Sequence, residues 1–180
     1  MNVLAFAASN NRQSINRTLA SYAANLIENA SVEVLDIDDY EMPIFSDDRE
    51  RDLGKPEQAR AFFQKISNAD AIIVSFAEHN GSYTAAYKNL FDWTSRISKD
   101  VFQNKPAVFL STSPGPGGAS SVLASAVDSA PYFAADIKAS ISVPSFHDNF
   151  DIEANNITNT VIRNELQRAV QLLAATAYWQ

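Results

Sequence analysis

The stretch Ala69-Asp70-Ala71-Ile72-Ile73-Val74-Ser75 constrains this chain most, because it is largely apolar, has β-branched residues at its centre, and runs into the polar turn Phe76-Ala77-Glu78-His79-Asn80-Gly81-Ser82-Tyr83. Such a run suits a strand buried on both faces of a parallel sheet, where apolar and polar residues need not alternate. Beyond the turn, Ala86, Leu90, Trp93 and Ile97 recur at helical spacing, which predicts a helix from about Tyr83 to Ser98 with one face against that sheet. The polar turn is thereby fixed between two rigid elements.

The same unit recurs along the chain. Asn2 to Ala8 reads as a first strand, Ser9 to Gln13 as a polar loop, and Ser14 to Asn29 as a helix striped by Ile15, Leu19, Tyr22 and Leu26. Val32 to Ile37 reads as a second strand. An irregular stretch through Met42 to Ser46 follows, and Asp47, Asp48 and Glu50 mark a solvated loop. Pro56 opens a helix with Ala59, Phe62, Phe63 and Ile66 on its buried face. Pro106 to Thr112 reads as a fourth strand, followed by the glycine-rich loop Ser113-Pro114-Gly115-Pro116-Gly117-Gly118 and a helix from about Ala119 that breaks near Pro131. Ile137 to Val143 makes a fifth strand. Asn159 to Tyr178 closes the chain as a helix with Val161, Ile162, Leu166, Val170 and Leu173 inward.

Strand and helix thus alternate five times, which predicts an α/β fold with a doubly wound parallel sheet and helices on both faces. In such sheets ligands bind beyond the carboxyl ends of the strands, near the point where strand order reverses. Three loops meet that description: Ser9 to Asn16, Ala77 to Tyr83 and Thr112 to Gly118.

Composition narrows the chemistry. A chain of 180 residues is long enough for one well-filled core, and a single domain over 1–180 is expected. With no cysteine, thiolate nucleophiles and iron-sulfur ligation are excluded; with His79 and His147 the sole histidines, no histidine-rich metal cluster is expected either. A formal charge of −7 without a basic stripe argues against nucleic-acid binding. No apolar stretch is long enough to span a bilayer, and Met1-Asn2-Val3-Leu4 runs directly into a strand, so no membrane partner and a cytoplasmic location are expected.

The first loop places Ser9, Arg12, Ser14 and Asn16 around a helix start, where free N–H groups and partial positive charge favour a phosphate. The plainer alternative makes Ser14 a helix cap and the remainder a solvated turn. The loop lacks the spaced glycines of a dinucleotide fingerprint and the ending of a P-loop. In the second loop, His79 offers a flat ring, Glu78 and Asn80 offer polar edges, and Gly81 permits close approach; alternatively Asn80-Gly81 is a tight turn and His79 a surface residue. The third loop holds three of the five glycines, whose backbone N–H groups can converge on a ligand oxygen.

Three ordered motifs carry a resemblance to a known family. Ala8-Ser9-Asn10-Asn11-Arg12-Gln13-Ser14-Ile15-Asn16 is similar to Gly-Ser-x-Arg-x-x-Ser-x-Asn. Ala77-Glu78-His79-Asn80-Gly81-Ser82, with Lys88-Asn89-Leu90-Phe91-Asp92-Trp93, is similar to Pro-Glu-Tyr-Asn-Gly-Ser and Lys-Asn-x-x-Asp-Trp. Ser113 to Gly118 corresponds to a third, glycine-rich loop. Over nearly its whole length the chain resembles the NADPH-dependent FMN reductases of flavodoxin-like fold, which include quinone, azo-dye and chromate reductases. Asn11, Ala77 and His79 stand where many members have arginine, proline and tyrosine.

The resemblance implies a flavodoxin-like sheet and an enzyme with FMN and NADPH as cofactors, passing hydride to free flavin, a quinone or another small-molecule electron acceptor. It implies that Ser9, Ser14, Ile15 and Asn16 contact the phosphate and ribityl chain, and that either Arg12 reaches the phosphate in place of the missing arginine or one charge-assisted contact is absent. Glu78, His79, Asn80 and Gly81 would border the isoalloxazine, and Ser113, Gly115 and Gly118 its pyrimidine edge. No catalytic acid or base is needed, since flavin carries the hydride chemistry, and no metal ligand is expected. A homodimer or homotetramer is implied too, with Tyr87 and Phe91 as the interface candidates and Leu90 and Trp93 as core. The alternatives are a flavodoxin-like electron-transfer protein and a non-enzymatic scaffold that has lost flavin.

Overall fold

Five parallel strands form the centre of the molecule: β1 (Asn2–Ala8), β2 (Ser31–Leu35), β3 (Ala71–Phe76), β6 (Pro106–Thr112) and β7 (Asp136–Val143). They lie in the order β2-β1-β3-β6-β7, which is 2-1-3-4-5 when these strands alone are counted. That is the flavodoxin-like order, with strand order reversing between β1 and β3. The computed structural model of the chain describes residues 1–177. Tyr178, the expected end of the last helix, lies outside the described residues.

The sheet separates two cores because successive side chains on a strand point to opposite faces. Leu4, Phe6 and Ala8 of β1 and Ile72, Val74 and Phe76 of β3 face one core. Val3, Ala5, Ala71 and Ile73 face the other. The first core is covered by α3 (Glu57–Asn68), α4 (Ala85–Ser95) and α5 (Ser120–Ser129); the second by α1 (Ile15–Asn25) and α7 (Thr160–Ala177). Every residue of β3 and β6 is buried, as continuous apolar runs require.

Several expectations are corrected in detail. The acidic residues Asp47, Asp48 and Glu50 do not form a loop: they open α2 (Asp47–Leu53), a helix with no buried residue. The physical reason is local, since Ser46 caps the Arg49 N–H and three carboxylates in the first turn complement the helix dipole. Val161 is 66% exposed rather than inward, because at the second residue of α7 it precedes the buried stripe begun by Ile162. Ile37 leaves β2 for a 3₁₀ turn, Ile37–Tyr40, capped by Asp36. Near Pro131 the helix does break, and a 3₁₀ turn, Ala130–Phe133, follows α5.

Short elements complete the chain: the paired strands β4 (Glu78–His79) and β5 (Ser82–Tyr83), a four-residue helix α6 (Phe146–Asn149), and the paired strands β8 (Phe150–Asp151) and β9 (Asn156–Ile157). No helix among the described residues is long and apolar enough to cross a membrane.

Candidate flavin site

The three loops emerge from the carboxyl ends of β1, β3 and β6, which are neighbours in the sheet. What holds them together is a set of buried polar residues at the ends of otherwise apolar strands. Asn16, 3% exposed on the first turn of α1, accepts from the Ser75 hydroxyl at 2.8 Å and from the Thr112 N–H at 3.0 Å, and donates to the Thr112 carbonyl at 3.1 Å. Both acceptor positions of its amide oxygen are occupied, so at most one N–H remains for a ligand. Asn16 therefore clamps the first loop to β3 and β6. Thr84 does the same for the second loop, donating to the Ala8 carbonyl at 3.0 Å while capping α4 through the Tyr87 N–H.

In the first loop the protein uses only the acceptor side of two hydroxyls. Ser9 accepts from the Asn11 N–H and Ser14 from the Asn16 N–H, each at 3.2 Å. Both O–H groups remain free to donate, and so does the Ile15 N–H at the first helical position, which has no protein acceptor among the described residues. Ser14 is thus both the helix cap of the plainer reading and a donor left over for an anion. Arg12 points elsewhere. It is 68% exposed and lies 3.6 Å from Asp36 and 3.4 Å from Asp38, over the 3₁₀ turn after β2.

The second loop is a hairpin. Asn80 and Gly81 have φ of 54° and 77°, the two positive values that a type I′ turn between β4 and β5 requires. This presents His79, Asn80 and Gly81 to solvent. Glu78 points inward to the neighbouring helix, where its carboxylate accepts from the Val122 N–H at 2.9 Å. Helix α5 has Ala119 at its N-cap position and no side-chain cap of its own, so Glu78 supplies that role from the hairpin.

The third loop is pinned from below. Gly118, at φ 58°, packs so tightly that a Cβ would collide with Ser142 Oγ and sit 3.1 Å from the backbone of Val143 and Pro144. Its carbonyl accepts from the hydroxyls of Ser111 and Ser142 at 2.7 and 2.9 Å. Gly118 is spent on packing. Ser113 donates to the Gly115 carbonyl, which also accepts from the Ser145 N–H. By contrast the N–H groups of Gly115 and Gly117 have no acceptor among the described residues, and open space lies over both Cα atoms.

Sequence reasoning missed Ser75, Thr84, Ser111 and Ser142. A signal was present for two of them, since Ser75 and Ser111 are hydroxyl residues near the carboxyl ends of buried apolar strands; Ser142 lies near the end of the mixed strand β7, and Thr84 caps α4. The segment Lys88-Asn89-x-x-Asp92-Trp93 also has a structural use. Asn89 donates to the carbonyls of Met42 and Pro43 and accepts from the Phe45 N–H, while Trp93 donates to Pro43 at 2.7 Å and meets Phe45 edge-on at 5.1 Å. Tyr87, expected at an interface, is only 5% exposed and packs against Phe76 within its own chain.

A family model described as NADPH-dependent FMN reductase matches residues 1–148. A 2-hydroxy-1,4-benzoquinone reductase of Burkholderia sp is 37% identical over 58% of this chain and 56% of its own length. An NADPH:quinone oxidoreductase of Arabidopsis thaliana is 39% identical over 48% of this chain and 43% of its own. The chain spans about half the length of these curated relatives. Among solved structures, the flavoenzyme NAD(P)H:(acceptor) oxidoreductase FerB from Paracoccus denitrificans superimposes with a TM-score of 0.73 at 24% identity, covering 99% of this chain and 96% of that one. This last likeness is one of fold.

Proposed function

The chain belongs to the NADPH-dependent FMN reductase family, and from that premise we propose that it is an FMN-dependent NAD(P)H oxidoreductase that reduces free flavin, a quinone or another small acceptor. The observation that carries the reading is the set of donors left unused where three loops meet: the hydroxyls of Ser9 and Ser14 and the N–H groups of Ile15, Gly115 and Gly117. Their chemistry fits FMN. A helix N-terminus with two spare hydroxyls suits its phosphate, and backbone donors above the sheet suit the carbonyl and nitrogen edge of its ring.

FMN, when bound, supplies the acceptance and release of hydride. The chain's own residues hold and orient. Ser9, Ser14 and Ile15 would hold the phosphate and ribityl chain, with the exposed Arg12 swinging from Asp36 and Asp38 as an auxiliary cation. His79, Asn80 and Gly81 would border the ring, and Ser113, Gly115 and Gly117 its polar edge. Asn16, Glu78 and Gly118 position those loops through buried contacts. Donors at the polar edge would stabilise negative charge on a bound flavin there and so raise its reduction potential.

The names borne by the relatives support a quinone as acceptor. Cytoplasmic residence and a homodimer or homotetramer belong to the same proposal. With Tyr87 internal, Ile44 is the better contact candidate, 63% exposed beside Asn10 and Met42 at the mouth of the first loop. The test is steady-state oxidation of NADPH with FMN and p-benzoquinone. Parallel double-reciprocal lines are expected if donor and acceptor bind the same site in turn. Turnover indistinguishable from the rate without protein would reject the proposal.

A further inference from the structure

Between α4 and α5, beneath the hairpin, lies a cavity of about 190 Å³ that the flavin reading does not use. Its lining includes none of the candidate flavin contacts. The walls are aromatic: Phe91 and Phe133 meet edge to face at 4.8 Å, Phe76 and Phe109 at 5.1 Å, and Tyr83 and Tyr87 lie 5.5 Å apart. Ala126 and Ala130 keep the space open on the α5 side.

Size, charge and one polar group define what would fit. A cavity of roughly 150 Å³ suffices for benzene, whereas pockets for larger organic ligands run from about 300 Å³ upward, so this space matches one six-membered ring and not a flavin or a dinucleotide. Lys88 and Asp92 at the rim pair with each other at 2.6 Å, leaving no net charge to select an ion. Tyr87 is 5% exposed, and its hydroxyl has no hydrogen-bond partner among the described residues. Tyr87 itself lines the cavity.

We propose that this cavity binds a neutral single-ring aromatic molecule carrying one hydroxyl or carbonyl group, with the ring among Phe76, Phe91, Phe109 and Phe133 and the polar group hydrogen-bonded to Tyr87. Aromatic edges and faces supply the packing, and the unpaired hydroxyl supplies orientation. The site is joined to the hairpin through Tyr83, whose ring lines the cavity, whose hydroxyl shares a hydrogen bond with Ser129 at 3.3 Å, and whose backbone pairs with Glu78. The proposal is independent of the flavin reading.

The test is titration of the full chain, without flavin, with p-cresol, which is not an electron acceptor, following the amide resonances of Tyr83, Ala126 and Ser129. Saturable shifts with half-saturation at or below about 1 mM are expected for a ligand of this size. Ala126→Leu, or Ala130→Leu if the first does not fold, fills the space and should abolish the shifts. Tyr87→Phe should weaken p-cresol about fivefold or more and leave toluene unchanged. No saturable shift up to about 10 mM, or equal shifts in the filled variants, would overturn the proposal, as would equal p-cresol binding by Tyr87→Phe. Loss of the shifts at high protein concentration would mark a second copy seated in the cavity and would overturn it too.

Discussion

The Glu78 carboxylate accepts a hydrogen bond from the Val122 N–H at 2.9 Å, which ties the hairpin after β3 to the helix after β6. Two loops proposed to border one ring are therefore coupled by one side chain. Glu78→Ala should cost about 1 kcal/mol of stability, the ordinary value of a helix cap, and weaken FMN severalfold by loosening both loops. Glu78→Gln keeps an acceptor oxygen and should recover most of each, as measured by urea unfolding and FMN titration.

Asn16 joins the first turn of α1 to the ends of two strands, β3 and β6. Asn16→Ala would leave the Ser75 hydroxyl and the Thr112 N–H and carbonyl unpaired in a buried setting, at a cost of roughly 2–3 kcal/mol. A shift of the urea midpoint without a change in slope would record it. Retained stability would show that water reaches these groups.

Gly118→Ala should be severe and Gly117→Ala mild, although they are neighbours. The first combines positive φ with a collision against Ser142 and the backbone of strand β7, while the second enters open space. Gly118→Ala combined with Ser142→Ala relieves only the side-chain collision, so more than half of the loss should persist. Thermal unfolding of the three variants decides this.

The chain's own pattern made the architecture legible. β1 and β6 carry apolar runs whose ends coincide with the strands, and Leu19, Phe62, Leu90 and Leu166 are buried at the helical spacing that marked them. The candidate site was less legible, since residue type alone does not say which groups the protein has already consumed. Asn16 and Gly118 read as ligand contacts, yet their hydrogen bonds and packing go to the fold. Ser9 and Ser14 read the same way and keep free donors. Tyr87 looked like a surface aromatic because helical periodicity does not reveal that β3 and α5 enclose two sides of α4. The acidic start of α2 concealed a helix that buries nothing.

Ser14→Ala should separate phosphate recognition from ring recognition. If the spare hydroxyls of Ser9 and Ser14 serve the phosphate, the variant loses about tenfold in affinity for FMN and almost nothing for riboflavin, corresponding to one charge-assisted hydrogen bond. Equal losses for both ligands would place the defect in the fold of the loop. Because Ser14 also caps α1, circular dichroism should accompany the titration.

Stability should fall in alkali because of Tyr87. Burial, with a smaller contribution from Tyr83, pushes its phenol well above the ordinary value of 10.0. Below that value both states are protonated and the contribution is fully present. Above it the unfolded chain loses a proton that the native state keeps, so stability declines by about 1.4 kcal/mol per pH unit from this group alone. Urea midpoints measured above about pH 10 should decline less steeply in Tyr87→Phe.

The central claim is that the three loops form an FMN site serving NADPH, and an absorption titration tests it most directly. The purified chain is titrated with FMN, and NADPH is then added without oxygen. Saturable perturbation of the flavin spectrum followed by NADPH-driven bleaching is the predicted result. No saturable binding at about 100 μM FMN would contradict the account, and binding without bleaching would leave a carrier rather than a reductase.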